Sequence, residues 1–248
     1  MPSLMDETMM TGNAGAFTFS GVRIEKLGAT EYTLVTIAID VTGSTSPFAA
    51  DLRASLITAV EACRKSPRAE NLLIRVITFS SSLPGGVDEV HGFKPLADID
   101  ALDYPQFQPG GCTPLFDAVY AATSAREAYG KQLSDNDYGV NAIDFYITDG
   151  DDNVSRATPA MIAAENQKAV TGETLESVVS VLIGINASMY TKELTRFQTE
   201  AGISQYIDAG DATPGKLAKL AAFVSRSVSS QAQALGSGGP SQNIDATF

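Results

Sequence analysis

The amino-acid sequence predicts a doubly wound α/β fold, in which a mostly parallel central sheet carries helices on both faces. Four segments are nearly continuous in aliphatic and β-branched residues, as central parallel strands buried on both faces are. Segments with the helical spacing of apolar residues alternate with these strands along the chain. The chain has 248 residues, of which 44% are hydrophobic and 19% are charged, which suffices for one large globular domain.

The predicted strands follow from local composition. Short strands are expected at 204–208 and, as an edge strand, at 87–90, after a Pro-Gly-Gly turn. The four buried strands are predicted at 33–40 (TLVTIAID), 71–79 (NLLIRVITF), 142–148 (AIDFYIT) and 177–185 (SVVSVLIGI).

The predicted helices lie between the strands. Thr158-Pro159 and Thr213-Pro214 are expected to begin two of them, because threonine caps a helix and proline fits its first turn. Gly130 and Gly202 are expected to end the helices that precede them. The helices are placed at 48–65, 114–129, from 159, 191–201 and from 214.

The chain divides into three parts. Residues 1–30 form an N-terminal extension, in which 1–15 is expected to be mobile and 16–27 to form a β-hairpin turning at Ser20-Gly21. Residues 31–231 form the α/β domain. Residues 232–248, rich in Gly, Ser and Pro, form a flexible tail.

Charge and targeting signals narrow the class of protein. The net charge of −12 disfavours nucleic acid as a partner, since an acidic surface repels phosphates. The two cysteines, Cys63 and Cys112, are too few for a disulfide framework. No signal peptide and no apolar run of membrane-spanning length is visible. We therefore expect a soluble, cytoplasmic protein that is not inserted in a membrane.

Three segments at predicted strand ends share one chemical character. They are 40–44 (DVTGS), 110–114 (GGCTP) and 148–152 (TDGDD), and they offer carboxylates, hydroxyls and tight glycine turns without imidazole. Loops that follow parallel strands meet at the carboxyl edge of the sheet, where such folds bind ligands. Oxygen ligands of this kind suit Mg²⁺, with Mn²⁺ or Ca²⁺ as alternatives.

The candidate metal ligands are two carboxylates and three hydroxyls, some of them acting through water. Their alternating spacing lets the side chains of the first segment converge. Taken singly, an aspartate here could cap a turn, and a serine could cap the following helix. The five residues are Asp40, Thr42, Ser44, Thr113 and Asp149.

These segments resemble the von Willebrand factor A family and its metal-ion-dependent adhesion site. The family pattern is Asp-x-Ser-x-Ser after the first strand, a Thr in a later loop and an Asp after the fourth strand. Asp40, Thr42 and Ser44 match the first element, although Thr42 stands where Ser is usual. Thr113 and Asp149 match the other two. The resemblance covers roughly 33–228 and is nearest to intracellular bacterial and phage members.

The resemblance implies a Rossmann-like fold and a mode of binding, in which a Glu or Asp of a protein partner completes the coordination of the cation. Several bacterial members work beside MoxR-type AAA+ ATPases as adaptors. We therefore predict a metal-dependent protein-binding module. The alternative is a structural or assembly component of a multiprotein or virion complex, in which the metal site is a scaffold feature.

Catalysis is not expected. Aspartate-nucleophile phosphatases need Asp-x-Asp at the first strand end, and Thr42 replaces the second carboxylate. His91 is the only histidine and is expected to be structural, and there is no phosphate-binding loop. Asp151 and Asp152 are expected to form a solvated acidic loop, and Cys112 to be a small filler.

Overall fold

The computed structural model describes residues 8–171 and 174–237. The strands are β1 (Met9–Ala14), β2 (Phe17–Val22), β3 (Glu31–Asp40), β4 (Leu72–Phe79), β5 (Val87–Pro95), β6 (Gly139–Thr148), β7 (Ser177–Gly184) and β8 (Gln205–Asp208). The helices are α1 (Ala49–Cys63), α2 (Leu115–Ser134), α3 (Pro159–Thr171), α4 (Thr191–Ala201) and α5 (Pro214–Ser237).

All eight strands form one sheet, in the order β1-β2-β5-β4-β3-β6-β7-β8. The run β4-β3-β6-β7-β8 is parallel throughout. At the other side β5 is antiparallel to β4, β2 is parallel to β5, and β1 is antiparallel to β2. The predicted doubly wound, mostly parallel fold is confirmed, and it brings the carboxyl ends of five strands to one edge.

Both faces of the central strands are buried, which explains their continuous apolar composition. On one face Val35, Ile37 and Ile39 pack with residues of α1 and α5. On the other face Ala38 and Tyr146 pack with residues of α2, α3 and α4. A strand covered on both sides needs apolar residues at every position, whereas a half-exposed strand alternates.

The N-terminal hairpin differs from the prediction. It turns at Gly15, whose φ is +62°, and not at Ser20-Gly21; residues 9–14, expected to be mobile, form its first strand. Gly21 lies within β2, where a Cβ would come 2.9 Å from the Tyr129 ring. Glycine at this position therefore allows the hairpin to approach α2 closely and does not mark a turn.

Two further boundaries were wrong. The strand predicted at 87–90 extends to Pro95 and is internal, because the hairpin pairs with its outer side. The helix expected to end near Gly130 continues to Ser134; a Cβ at Gly130 would lie 2.7 Å from the Leu175 side chain, so glycine allows close packing there. Gly202 does end α4, at a left-handed φ of +69°.

Part of each chain end lies outside the residues that the structure describes. The last helix runs to Ser237, past residue 232, where the sequence placed the start of the tail. The remaining tail residues, 238–248, and residues 1–7 of the extension lie outside the described residues. Among the helices described, none is long and apolar enough to cross a membrane.

Candidate metal centre

The structure brings the three predicted loops together. Strands β3 and β6 are neighbours, with Ile39 paired to Ile147, so Asp40 and Asp149 leave the sheet side by side. Residues 110–114 reach the same edge just before α2 begins. An open cleft of about 510 Å³ lies between the loops and is lined by Thr42, Ser44, Gly111, Cys112, Thr113, Asp149, Gly150, Asp151, Asp152, Asn153 and Tyr190.

The first and third loops are linked directly through predicted ligands. Ser44 Oγ donates a hydrogen bond of 2.8 Å to Asp149 Oδ1, and Thr42 Oγ1 lies 3.1 Å from Ser44 Oγ. These oxygens line one wall of the cleft, and Thr113, which is 5% exposed, lines it from the second loop. Four of the five predicted residues thus face one cleft.

The fifth predicted residue, Asp40, lies behind the cleft wall and is 1% exposed. Its Oδ1 accepts a hydrogen bond from the Thr42 backbone N–H at 2.8 Å. Its Oδ2 accepts one from Thr148 Oγ1, also at 2.8 Å. The carboxylate is therefore fixed in orientation by one partner on each oxygen.

The site carries negative charge that no basic side chain among the described residues neutralises. Burial raises the pKa of Asp40 to about 6; the nearby Asp149 adds to the rise, while hydrogen bonds from Thr42 and Thr148 oppose it. Burial also raises the pKa of Asp149, against the hydrogen bond from Ser44. None of the ion pairs in the described part of the chain includes either carboxylate.

The donor set fits a hard cation and does not fit a soft one. Within 8–171 and 174–237 no group of three or more His, Cys, Asp or Glu side chains converges on a point. A cation here would depend on hydroxyl oxygens beside two carboxylates, and oxygen donors of this kind suit Mg²⁺, Mn²⁺ or Ca²⁺. A divalent cation would also offset the energetic cost of burying the ionised carboxylates of Asp40 and Asp149.

Gly111, the second glycine of the loop that carries Thr113, has a steric reason. Gly111 has a φ of +67°, and a Cβ there would lie 2.6 Å from Ser81 Oγ. The Gly111 carbonyl accepts a hydrogen bond of 3.2 Å from Gly43 N, and Ser81 Oγ accepts one of 2.8 Å from Cys112 N. The loop that carries Thr113 is thus pressed against both neighbouring loops.

Sequence reasoning missed two residues of the site. Thr148 orients Asp40, and it stands in the same Ile-Thr-Asp-Gly run that pointed to Asp149, so that run held a signal. Asn153 holds the backbone of Thr113: its Oδ1 accepts from Thr113 N at 2.8 Å, and its N donates to Thr113 O at 3.1 Å. No pattern in the sequence indicated Asn153.

Asp151, Asp152 and Cys112 line the cleft, whereas His91 lies outside it. Asp152 is not a merely solvated residue, because its Oδ1 accepts a hydrogen bond of 3.1 Å from Phe116 N in the first turn of α2. Asp151 is partly exposed, and Cys112 is an exposed free thiol on the cleft. His91 lies on β5, where its Nε2 is 3.1 Å from the Tyr104 hydroxyl.

Comparison with known proteins identifies the fold. No protein-family model matches the chain, and no curated protein sequence matches it. Solved structures that share its fold include the pilus adhesin SpaC from Lactobacillus rhamnosus GG, with a TM-score of 0.54 and 13% identity over 86% of this chain. The vWF domain of the type V pili tip protein Mfa5 from Porphyromonas gingivalis gives a TM-score of 0.50 and 12% identity; the alignment covers 89% of this chain and 99% of that one.

A third solved structure that shares the fold contains a bound metal. The proximal thread matrix protein 1 from the mussel byssus, solved with a zinc occupied MIDAS motif, gives a TM-score of 0.52 and 18% identity over 82% of this chain. The chain spans 32% of SpaC and 47% of the byssus protein. At these identities the matches show the fold alone, and the fold is that of a von Willebrand factor A-like domain.

Proposed function

We propose that this protein is a metal-dependent protein-binding module, in which a divalent cation at the carboxyl edge of the sheet grips an Asp or Glu of a partner. One observation carries the proposal. Two buried carboxylates, Asp40 and Asp149, lie beside a cleft of hydroxyl oxygens, and no basic side chain in 8–171 or 174–237 pairs with either. Buried charges are normally paired or bound to metal, so an unpaired carboxylate pair favours a cation.

In this proposal Thr42, Ser44 and Thr113 supply hydroxyl contacts, and Asp40 and Asp149 supply carboxylate contacts, some of them through water. Bound there, the cation supplies a positive charge with a free coordination position. We favour Mg²⁺, which prefers oxygen ligands and keeps several waters, with Mn²⁺ or Ca²⁺ as alternatives. The zinc-occupied motif of the byssus protein supports a divalent metal in this fold but does not identify the metal of this chain.

An acidic partner residue needs the cation. The chain carries a net charge of −12, which repels carboxylates unless a local positive charge intervenes. The rim of the cleft also suits a protein surface: Tyr190, which lines it, is 40% exposed, and the adjacent Met189 is 85% exposed. Aromatic and methionine side chains are enriched in protein interfaces.

The class of partner is a further part of the proposal. The resemblance to intracellular bacterial and phage members favours a MoxR-type AAA+ ATPase or a larger assembly, in the cytosol or in a virion. A structural role is the second candidate, and it is supported by solved neighbours described as a pilus adhesin and a byssus matrix protein. A complex that survives chelation would favour the structural role.

We also propose that the chain is not an enzyme. Thr42 stands where a phosphatase would need its second carboxylate. His91 lies on β5, away from the cleft, and is hydrogen-bonded to the Tyr104 hydroxyl. Hydrolysis of a generic phosphoester in the presence of Mg²⁺, lost in Asp40→Asn, would overturn this part.

Calorimetric titration of chelator-stripped protein with Mg²⁺ and Mn²⁺ tests the site. We expect binding by the wild type and none by Asp40→Ala. Asp135→Ala is the matched control, because Asp135 is an exposed aspartate paired with Lys131 on α2 and its loss changes the net charge equally. Equal affinity in Asp40→Ala and the wild type would refute the assignment of the site.

A pull-down from lysate of the source cell, with and without chelator, tests the partner. A metal-dependent module should retain its partner only when Mg²⁺ is present, and Asp40→Ala should retain none under either condition. Equal retention by the wild type with and without chelator would move the structural role ahead.

A further inference from the structure

We propose that Asn153 is a positioning residue, which holds Thr113 in place for the cation and joins the Thr113 loop to the Asp149 loop. The inference rests on the proposed function, because Thr113 and Asp149 act as ligands only where the site holds a metal. Asn153 itself is exposed and belongs to the loop that follows β6.

The contact is a clamp on the backbone of a single residue. Asn153 Oδ1 accepts a hydrogen bond of 2.8 Å from Thr113 N, and Asn153 N donates one of 3.1 Å to Thr113 O. Both polar backbone groups of Thr113 are thereby fixed by one partner. Because threonine is branched at Cβ and has few χ1 rotamers, a fixed backbone also limits where its hydroxyl can point.

The same loop caps the helix that follows Thr113. The residue before α2 is Pro114, whose side chain cannot cap it. The free N–H groups of the first turn are instead satisfied from across the cleft: Phe116 N donates to Asp152 Oδ1 at 3.1 Å, and Asp117 N donates to Ser155 Oγ at 3.0 Å. A helix start needs such acceptors.

Helix α2 in turn accepts hydrogen bonds from the loop that follows β6. Asp117 Oδ1 accepts hydrogen bonds from Arg156 N at 3.0 Å and Ala157 N at 2.8 Å. The start of α2 and the loop after β6 are therefore bonded in both directions, so Thr113 and Asp149 are carried by one unit. Loss of the Asn153 side chain would release Thr113 N, while the backbone bond from Asn153 N to Thr113 O and the bonds farther along α2 remain.

Residues that orient metal ligands typically change metal affinity by 10–100-fold when removed. We expect the lower end for Asn153, about tenfold, because it is exposed and water can replace part of its hydrogen bonding. Its exposure also means that truncation opens no cavity, so Asn153→Ala is expected to fold.

Three variants separate positioning from general stability. Asn153→Ala removes the acceptor for Thr113 N. Asn153→Asp keeps an oxygen acceptor at the same place. Ser155→Ala is the matched control, because it removes the hydrogen bonds of the Ser155 hydroxyl to Asp117 N and to Asp152 Oδ1 without touching Thr113.

Each variant is measured in three ways: the Mn²⁺ dissociation constant by calorimetry, the thermal unfolding midpoint in chelator, and amide hydrogen exchange at Thr113 in chelator. Asn153→Ala should weaken Mn²⁺ binding about tenfold and speed exchange at Thr113, in line with loss of an orienting partner. Asn153→Asp should restore both, and Ser155→Ala should lower the midpoint with affinity unchanged.

The proposal is overturned if Asn153→Ala and Ser155→Ala bind Mn²⁺ equally well, or if exchange at Thr113 does not quicken in Asn153→Ala. If the wild type binds no Mn²⁺, the proposed function fails instead. The exchange measurement, made without metal, then still decides whether Asn153 holds Thr113.

Discussion

The buried carboxylate of Asp40 makes the metal-free protein less stable than its neutral variant. Asp40 is 1% exposed and has no basic partner in the part of the chain that the structure describes, and burial raises its pKa from 3.8 to about 6. At neutral pH the folded chain must therefore carry an ionised group in a poorly solvated place. We expect Asp40→Asn to be more stable than the wild type in chelator at pH 7.5, although it binds no metal.

The size of the gain follows from the pKa. A rise from 3.8 to about 6 corresponds to about 3 kcal/mol of penalty on the ionised form. Asparagine can accept from Thr42 N through its oxygen, but its amide group must donate to Thr148 Oγ1, which has to turn. We therefore expect a gain of about 2 kcal/mol, or roughly 4–8 °C in the unfolding midpoint of a chain of this size.

The stability gained in Asp40→Asn should depend on pH. Because the folded pKa lies above the unfolded value, the folded state binds more protons between these values, and stability from this group rises as pH falls. The penalty is full above pH 6, fades between pH 6 and 3.8 and is absent below that. The gap between Asp40→Asn and the wild type should narrow accordingly and close near pH 4.

Urea unfolding of both proteins in chelator at pH 7.5, 5 and 4 measures the gap. Asp135→Asn changes an exposed aspartate just after α2; this variant is the control and should show no gap at any pH. The reasoning is refuted if Asp40→Asn is no more stable than the wild type at pH 7.5, or if its advantage persists unchanged at pH 4. Added Mn²⁺ should reverse the order, since only the wild type is stabilised.

Three further predictions concern the metal, the second loop and the core. Mn²⁺ at a hundred times its dissociation constant should raise the free energy of unfolding of the wild type by about 2.7 kcal/mol and leave Asp40→Ala unchanged; thermal unfolding with and without chelator checks this. Gly111→Ala, which adds a Cβ 2.6 Å from a serine hydroxyl at a φ of +67°, should weaken Mn²⁺ binding in calorimetry; Gly85→Ala, at a φ of +74° with open space around it, should cost only about 1 kcal/mol and leave binding intact. Asp144→Ala, which removes one of the two ion-pair partners of the fully buried Arg126 and leaves only Glu127, should lower the free energy of unfolding in urea by about 3 kcal/mol, so a loss below 1 kcal/mol would contradict that role.

The fold class and the place of the candidate site in the fold could be predicted from the sequence, because both depend on local signals. A strand buried on two faces is apolar at every position, and 33–40 and 142–148 show this without reference to any other part of the chain. Parallel strands bring the residues after them to one edge, so placing Asp40 and Asp149 together needed only the order of elements. Thr113 follows no parallel strand, because the strand before it, β5, is antiparallel to β4.

The three-dimensional structure decided whatever depends on contacts between distant segments. The sequence predicts a turn at Gly21 and a helix end at Gly130, yet both lie inside elements, where a Cβ would come within 3 Å of another side chain. The clamp of Asn153 on Thr113 joins residues 40 positions apart. Backbone preferences act within a few residues, whereas close approach and hydrogen-bond pairing depend on where the folded chain places its distant parts, and a single sequence carries no local trace of them.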